Sequence, residues 1–436
     1  MDAHAETALP DSADVVVIGG GIVGCSTAYF LAKRGLSVLL CEKGRIAGEQ
    51  SGRNWGWVRQ QGRDPAEMPM IIDSLRIWRG LGAETGEDLG FVEGGCLYLA
   101  RTPAELEAYA TWLPTAEQFQ LDTRIVAGHE LGRVVKGADR RWAGALYTPS
   151  DGRGEPALAA PAVARAAARL GATVATNCAV RGLDLAAGRV SAVVTERGRV
   201  KTSTVVCAAG VWTSLFCGNL GVTVPQLKTR GSVMRTAPAP EILQGEASSK
   251  GVAIRRRQDG GYSVAHGGAS EHPLVPDTFR FFGLFLPALR THRKKLRLGI
   301  DGRFLEEWRL PRRWALDARS PFEATRVLDP RPNPRILAEA RRNLARDFPE
   351  LGQVAIAESW AGMIEASPDV RPIISTVDGI EGLIVSTGYS GHGFGIGPGA
   401  GRATAELAAG DVPAVDLSPF RLSRFFDGTP ITPGPL

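Results

Sequence analysis

Residues 14–44 read DVVVIGGGIVGCSTAYFLAKRGLSVLLCEKG, and this stretch decides the fold. Val15, Val16, Val17 and Ile18 form a short β-branched run suited to a strand buried on both faces. An apolar helical pattern follows from Ile22 to Arg34 and stops at Gly35, and Val38 to Cys41 reads as a second buried strand. Between the first strand and the helix, Gly19, Gly21 and Gly24 space out G-x-G-x-x-G. The first glycine permits a tight turn, the second lets backbone approach a pyrophosphate, and the third lets helix and strand pack closely. The helix N-terminus, around Ile22 and Val23, offers free N–H groups to the phosphates. Glu42 closes the second strand, eighteen residues beyond Gly24, where it can accept a ribose hydroxyl hydrogen bond. The whole is a βαβ unit that predicts dinucleotide binding in an α/β, Rossmann-type domain.

Working outward, the chain does not continue as simple βα repeats. Residues 66–82 predict a helix, 94–100 a strand, 157–170 a long helix and 173–180 a strand. A hairpin is expected from 189–195 and 199–207, turning at Glu196, Arg197 and Gly198. The strand VVCAAG at 205–210 ends in small residues and reads either as a core strand or, from its place between the βαβ start and the glycine-rich end, as a segment passing close to the cofactor at Ala209, Gly210 and Trp212. The segment 235–355 is richer in Arg and aromatic residues, and a glycine-rich stretch at 382–410 ends in a helix near 400–409. Its glycines suggest backbone brought close to something, with a helix N-terminus aimed at it. Nucleotide-type segments at the start, middle and end predict a discontinuous cofactor domain over 13–90, 150–232 and 355–415. An α+β substrate domain with a mainly antiparallel sheet would occupy 91–149 and 233–354, and 416–436 a tail. No second G-x-G-x-x-G follows a strand, which argues against a separate nicotinamide site.

Bulk numbers exclude several classes. The 436 residues carry 51 Lys plus Arg against 46 Asp plus Glu, a net charge of +5, which makes no case for nucleic acid. Cys25, Cys41, Cys96, Cys178, Cys207 and Cys217 include no C-x-x-C pair and read as reduced thiols. Residues 1–13 lack the order of a signal peptide, and no apolar run reaches the roughly 18 residues of a membrane helix. A soluble, cytoplasmic protein without a metal centre is expected.

The order of motifs resembles the D-amino-acid oxidase and dehydrogenase superfamily, which includes glycine oxidase and sarcosine oxidase. The resemblance covers nearly the whole chain and rests on IGGGIVGCSTAYFLAKRG with Glu42, on VVCAAGVW, and on SWAGMIEASPDVRPIIS (359–375) leading into STGYSGHGFGIGPGAGRATAELAAG. It implies an FAD enzyme that oxidises the C–N bond of an amino acid or secondary amine by hydride transfer to flavin N5, the imine then hydrolysing. Gly19, Gly21, Gly24, Glu42 and Lys43 would hold the ADP half of FAD. Ser51, Gly52, Arg53 and Asn54 would run along the pyrophosphate and flavin, backbone at Val180 would reach the adenine side, and Gly391, His392, Gly393 and Phe394 would border the flavin ring. Some relatives attach flavin to a cysteine shortly before the T-x-D stretch; here no cysteine follows Cys217, so FAD is expected to be noncovalent. The carboxylate-holding lysine of some relatives is replaced by Gly395, and the strand GYSVAH (261–266) lacks their oxygen-activating lysine. A dehydrogenase passing electrons to a quinone or a protein is therefore expected at least as much as an oxidase.

A substrate carboxylate calls for arginine. Arg59, flanked by Trp55 and Trp57, is one candidate; Arg257 is another, since alternation puts Arg255 and Arg257 on one face of a strand and Arg256 on the other. Tyr262 and His266 on the next strand would border the pocket, and His392 is a candidate for direct catalysis. The stretch FFGLFLPALRTHRKKLRLGI (281–300) pairs apolar residues with a basic cluster, as a helix packed in the substrate domain or as a peripheral contact with a membrane or partner. Two alternatives stay open: a hydroxy-acid or polyol-phosphate dehydrogenase, and the flavin-binding subunit of a heteromeric amine or opine dehydrogenase.

Overall fold

The structure, a computed structural model, describes residues 8–435; the expectation for the N-terminal leader falls partly on residues outside that range. The βαβ unit is as read. Val15–Ile18 pairs in parallel with Val38–Cys41 on one side and Thr204–Cys207 on the other, and all three strands are buried almost throughout. Among the described residues the sheet has nine strands, and Ile380–Thr387 and Thr173–Ala175 extend its parallel core. Buried β-branched side chains on both faces exclude water from a sheet covered by helices.

A ten-stranded, mainly antiparallel sheet forms the second layer, and the long strands Leu227–Thr236 and Ile356–Ala366 pair along their length within it. Three short strands, Trp57–Val58, Gly152–Arg153 and Val92–Glu93, form a ribbon of their own. The expected hairpin divides differently. Arg189–Thr195 pairs with Gly198–Lys201, whereas Thr204–Cys207 leaves that partner to pair with Val15–Ile18. The 173–180 strand also breaks, into Thr173–Ala175 and a new strand from Val180, with Asn177 at a positive φ between them.

The terminal helix is longer than the pattern suggested, Gly393–Ala408, and its glycines have a packing reason. A Cβ on Gly397 would meet Ile22 at 2.8 Å, one on Gly399 the Met70 carbonyl at 2.6 Å, and one on Gly401 Ser26 at 2.4 Å. The glycine face thus lets the helix lie against Ile22–Lys33 and Met68–Thr85. Ser74 is inserted into its backbone ladder, donating to the Gly395 carbonyl at 2.7 Å and accepting from the Gly399 N–H at 3.1 Å, while Trp78 Nε1 donates to Gly395 at 2.9 Å. Pro398 removes a helical donor in the same turn, and these side chains compensate for the disturbance.

Gly24 shows how little room the βαβ unit has. A Cβ there would stand 2.0 Å from the Gly19 carbonyl oxygen, an overlap backbone cannot relieve cheaply. Gly24→Ala is expected to lower unfolding stability by about 3 kcal/mol. Gly80 sits exposed in a helix with nothing within 4 Å of such a Cβ, so Gly80→Ala should raise stability by about 0.5–1 kcal/mol. Urea unfolding midpoints of the two variants check both signs.

Candidate active site

The C-terminal ends of the parallel strands open onto a cleft. Gly19, Gly21, Ile22 and Val23 form its floor at the helix N-terminus, and Glu42, Lys43, Ser51, Asn54 and Val180 continue it. Ala209, Gly210 and Trp212 supply one wall; Gly391, Gly393 and Phe394 supply another. Gly21, Gly210 and Gly393, far apart in sequence, therefore face a single space.

The donor set fits a dinucleotide. Ser51 Oγ accepts from the Ile22 N–H at 2.9 Å, which leaves neighbouring first-turn N–H groups for a phosphate. Both Glu42 oxygens take backbone N–H bonds, from Gly20 and Gly44 at 2.7 Å each. Burial nevertheless raises the Glu42 pKa above the ordinary carboxylate value. A Cβ on Gly21 would stand 3.0 Å from Ser51 Oγ, crowding the hydroxyl that accepts from Ile22. The glycine turn, the helix end and the Glu42 carboxylate thus stand together at one end of the cleft.

Several named residues stand elsewhere. Gly24 acts by packing behind the cleft rather than lining it. Gly52 abuts the Ala47 carbonyl, and Arg53 turns away to the Gly48 and Ala361 carbonyls and Asp329. Lys43 reaches the cleft, but its ammonium is held by Glu49 at 2.6 Å and by the Thr325 and Arg326 carbonyls, 4.5 Å above the Trp212 ring. Tyr262 does not border the cleft: its ring is fully buried in the second-layer core, and its hydroxyl bonds Pro240 O and the Ile242 N–H. Arg257 is not a flavin-side residue either, because it sits at a turn paired with Asp259. Arg255 and Arg257 do share a face, both reaching Ser263, while Arg256 stacks on Tyr262. Arg255 is buried against Glu155 at 2.8 Å, and His266 faces Glu339.

Beside the Gly391–Phe394 wall lies a buried polar group. His392 does not line the cleft; its Nδ1 is 3.0 Å from Glu67, which has no exposed surface. Burial and the nearby Arg63 and Arg59 push the imidazole down to about 4, so it is neutral near pH 7. Glu67 is lowered: burial works against ionisation but is outweighed by His392 and the two arginines. The carboxylate therefore fixes the Nδ1–H tautomer and leaves the Nε2 lone pair free of partners among the described residues. Arg59 lies 6.0 Å from the Trp57 ring and 5.7 Å from the Tyr98 ring, and among the described residues its guanidinium donates only to the Gln61 carbonyl. No carboxylate pairs with it among the described residues.

Sequence reasoning passed over Glu67, Glu49 and Glu365. Glu67 gives no local signal, since only the fold carries it to His392. Glu365 lies inside the quoted 359–375 segment and lines the cleft, where burial pushes its carboxyl up to about 7 from 4.5. The folded protein thus holds this proton more tightly than the unfolded chain does. The resulting cost is absent below about pH 4.5, grows as pH rises and is complete above about 7. Glu365→Gln should stabilise the cofactor-stripped protein by up to about 3 kcal/mol at pH 8 and by almost nothing at pH 4.5. Urea titrations at the two pH values measure the difference.

A family model described as FAD dependent oxidoreductase (DAO) matches residues 14–407. Among solved structures, L-amino acid deaminase from Proteus myxofaciens, in complex with anthranilate, is 34% identical with a TM-score of 0.92, covering 96% of this chain and 95% of that one. L-amino acid deaminase from Proteus vulgaris is 33% identical with a TM-score of 0.91, covering 96% and 99%. The mitochondrial sarcosine dehydrogenase of Homo sapiens is 26% identical over 96% of this chain and 42% of its own, so the chain spans less than half of that relative. Cleft, donor set and family match agree: the chain belongs to the DAO family of FAD-dependent oxidoreductases.

Proposed function

We propose that the protein oxidises the C–N bond of an L-α-amino acid, giving an imine that hydrolyses to the keto acid and ammonia. Bound FAD supplies the hydride acceptor for the substrate α-carbon. One observation carries the reading: Arg59 is a sheltered guanidinium between two aromatic rings, with a backbone carbonyl and, among the described residues, no carboxylate as hydrogen-bond partner. A cation held this way is completed by a ligand carboxylate. His392, buried behind the Gly391–Phe394 wall, remains neutral through physiological pH and ties Glu67 in place beside the two arginines. The similarity to the Proteus L-amino acid deaminases supports a primary amine and the L configuration.

Anaerobic mixing with a panel of L-, D- and N-alkyl amino acids and hydroxy acids, followed by flavin absorbance, tests the reading. L-amino acids should bleach the flavin and hydroxy acids should not; bleaching by hydroxy acids alone would sink it. Arg59→Ala should raise KM for the best amino acid about 100-fold with kcat changed less than threefold, and Arg59→Lys should recover only part, because bidentate geometry is lost.

The electron acceptor we propose is a quinone at a membrane surface. Phe282–His292, in the stretch open to packing in the substrate domain or to a peripheral contact, has no buried residue. With its neighbours it exposes Phe279, Phe282, Leu298, Ile300, Leu305 and Trp308, beside the exposed cations Arg290, Arg293 and Lys294. Apolar side chains interleaved with cations suit the interface of an anionic bilayer. No helix among the described residues is long and apolar enough to cross one. The protein should co-sediment with phosphatidylglycerol vesicles and not with phosphatidylcholine ones, and a double Arg293→Glu, Lys294→Glu variant should lose that binding while still reducing a soluble dye.

A further inference from the structure

Beneath Arg59 lies an acid that the reaction as described does not use. The ribbon of Trp57–Val58 on Gly152–Arg153 pairs Trp57 with Arg153 and Val58 with Gly152, and there its ladder ends. Asp151 stands one residue before that second strand, fully buried. Its carboxylate takes over where the backbone stops: Oδ1 accepts from the Gln60 N–H at 2.7 Å and Oδ2 from the Gln61 N–H at 3.1 Å. The Gln60 side-chain amide adds a longer bond to Oδ1 at 3.3 Å. Asp151 is itself anchored, because its carbonyl accepts from the Gly95 N–H at 2.9 Å. Gln61 is held a second time, through Thr148 Oγ1 donating to its Oε1 at 2.9 Å. The Gln61 carbonyl is the atom to which the Arg59 guanidinium donates, and Gly62 after it needs a positive φ of 71°.

We propose that Asp151 is a positioning residue for substrate binding, its ionised carboxylate fixing the Gln60–Gln61 backbone so that the Gln61 carbonyl aims Arg59 at the substrate carboxylate. This rests on the reading of Arg59 as the carboxylate anchor. An arginine on an irregular segment keeps a productive angle only if its surroundings are locked, and a carboxylate accepting two N–H groups is a strong lock.

The lock is also sensitive to protons. Burial raises Asp151 to about 6, against the lowering effect of the Gln60 and Gln61 bonds and of Arg59. The other charged or titratable groups facing it are Cys96 and Tyr98 on one strand, Glu246 on another, and Arg63. Protonation turns one acceptor oxygen into a donor that faces another donor, and the clasp on the Gln60–Gln61 backbone opens. The α-carboxylate and α-ammonium of a free amino acid do not titrate between pH 5 and 7.5, so a change in KM across that window belongs to the enzyme.

Steady-state kinetics of the FAD-loaded protein with the best amino acid of the panel, from pH 5 to 7.5, test the proposal. In the native protein KM should rise about tenfold as pH falls through about 6, with kcat changing less than threefold. Asp151→Asn should show the raised KM at every pH and no inflection. Thr148→Val, which removes the bonds to the Gln61 side chain and to Thr123 but leaves the Asp151 carboxylate on the Gln60–Gln61 backbone, should raise KM two- to threefold; it carries the test together with the native profile if Asp151→Asn fails to load FAD. A flat native KM profile overturns the proposal. So does an Asp151→Asn KM equal to the native value, or below it, as a simple counter-charge to Arg59 would give. If Arg59→Ala leaves KM unchanged, the carboxylate-anchor reading fails on its own account; if Arg59→Ala raises KM and Asp151→Asn does not, only the role of Asp151 is lost.

Discussion

Three backbones meet within van der Waals contact at the end of the Val15–Ile18 strand, and the rest of the structure depends on that meeting. A side chain on Gly19 would overlap the Ala208 carbonyl at 2.4 Å, and one on Gly24 would overlap Gly19 itself. Because neither carries one, the helix can start directly over the strand, with its N-terminal N–H groups pointing along the strand direction into the cleft. The adjacent strand can deliver Ala209 and Gly210 to the same place. The cleft exists because side chains are missing there, and its chemistry is that of exposed backbone donors.

The opposite wall follows the same logic at a larger scale. The helix Gly393–Ala408 is pressed between two others by its glycine face, so its first turn cannot drift from the cleft. That rigidity is what allows a buried His392–Glu67 contact and a sheltered Arg59 to keep fixed relations to one another. Around them charges of both signs alternate: Arg63 and Arg59 act on His392 and Glu67, and the Asp151 carboxylate faces the same two arginines.

What could be read from the sequence was whatever local spacing enforces. Gly19, Gly21, Gly24 and Glu42 announce the nucleotide half because the turn, the helix start and the acid sit within one contiguous unit. The glycines after Gly393 were legible as close approach but not as approach to what; most of them meet neighbouring helices, and only pairing in space tells a helix from a ligand. Alternation sorted Arg255, Arg256 and Arg257 onto faces correctly, yet it cannot say which face of a strand looks toward the cleft, and Tyr262 and Arg257 lie away from it. The split of 199–207 into two strands has the same origin, since Thr204–Cys207 is claimed by a partner nearly two hundred residues away. Glu67 and Asp151 were invisible because their partners, His392 and the Gln60–Gln61 backbone, are brought to them only by the fold.

All six cysteines are buried, and Cys41 and Cys178 approach each other at 4.0 Å without a disulfide. The native surface therefore offers no thiol to an alkylating reagent. A single cysteine placed at Trp308, in the exposed apolar patch, would be the one site a maleimide fluorophore could reach without first opening the protein. The interior sulfur chemistry thus leaves the exterior blank, and distances from that patch to the flavin could be followed by energy transfer in an otherwise unmodified chain.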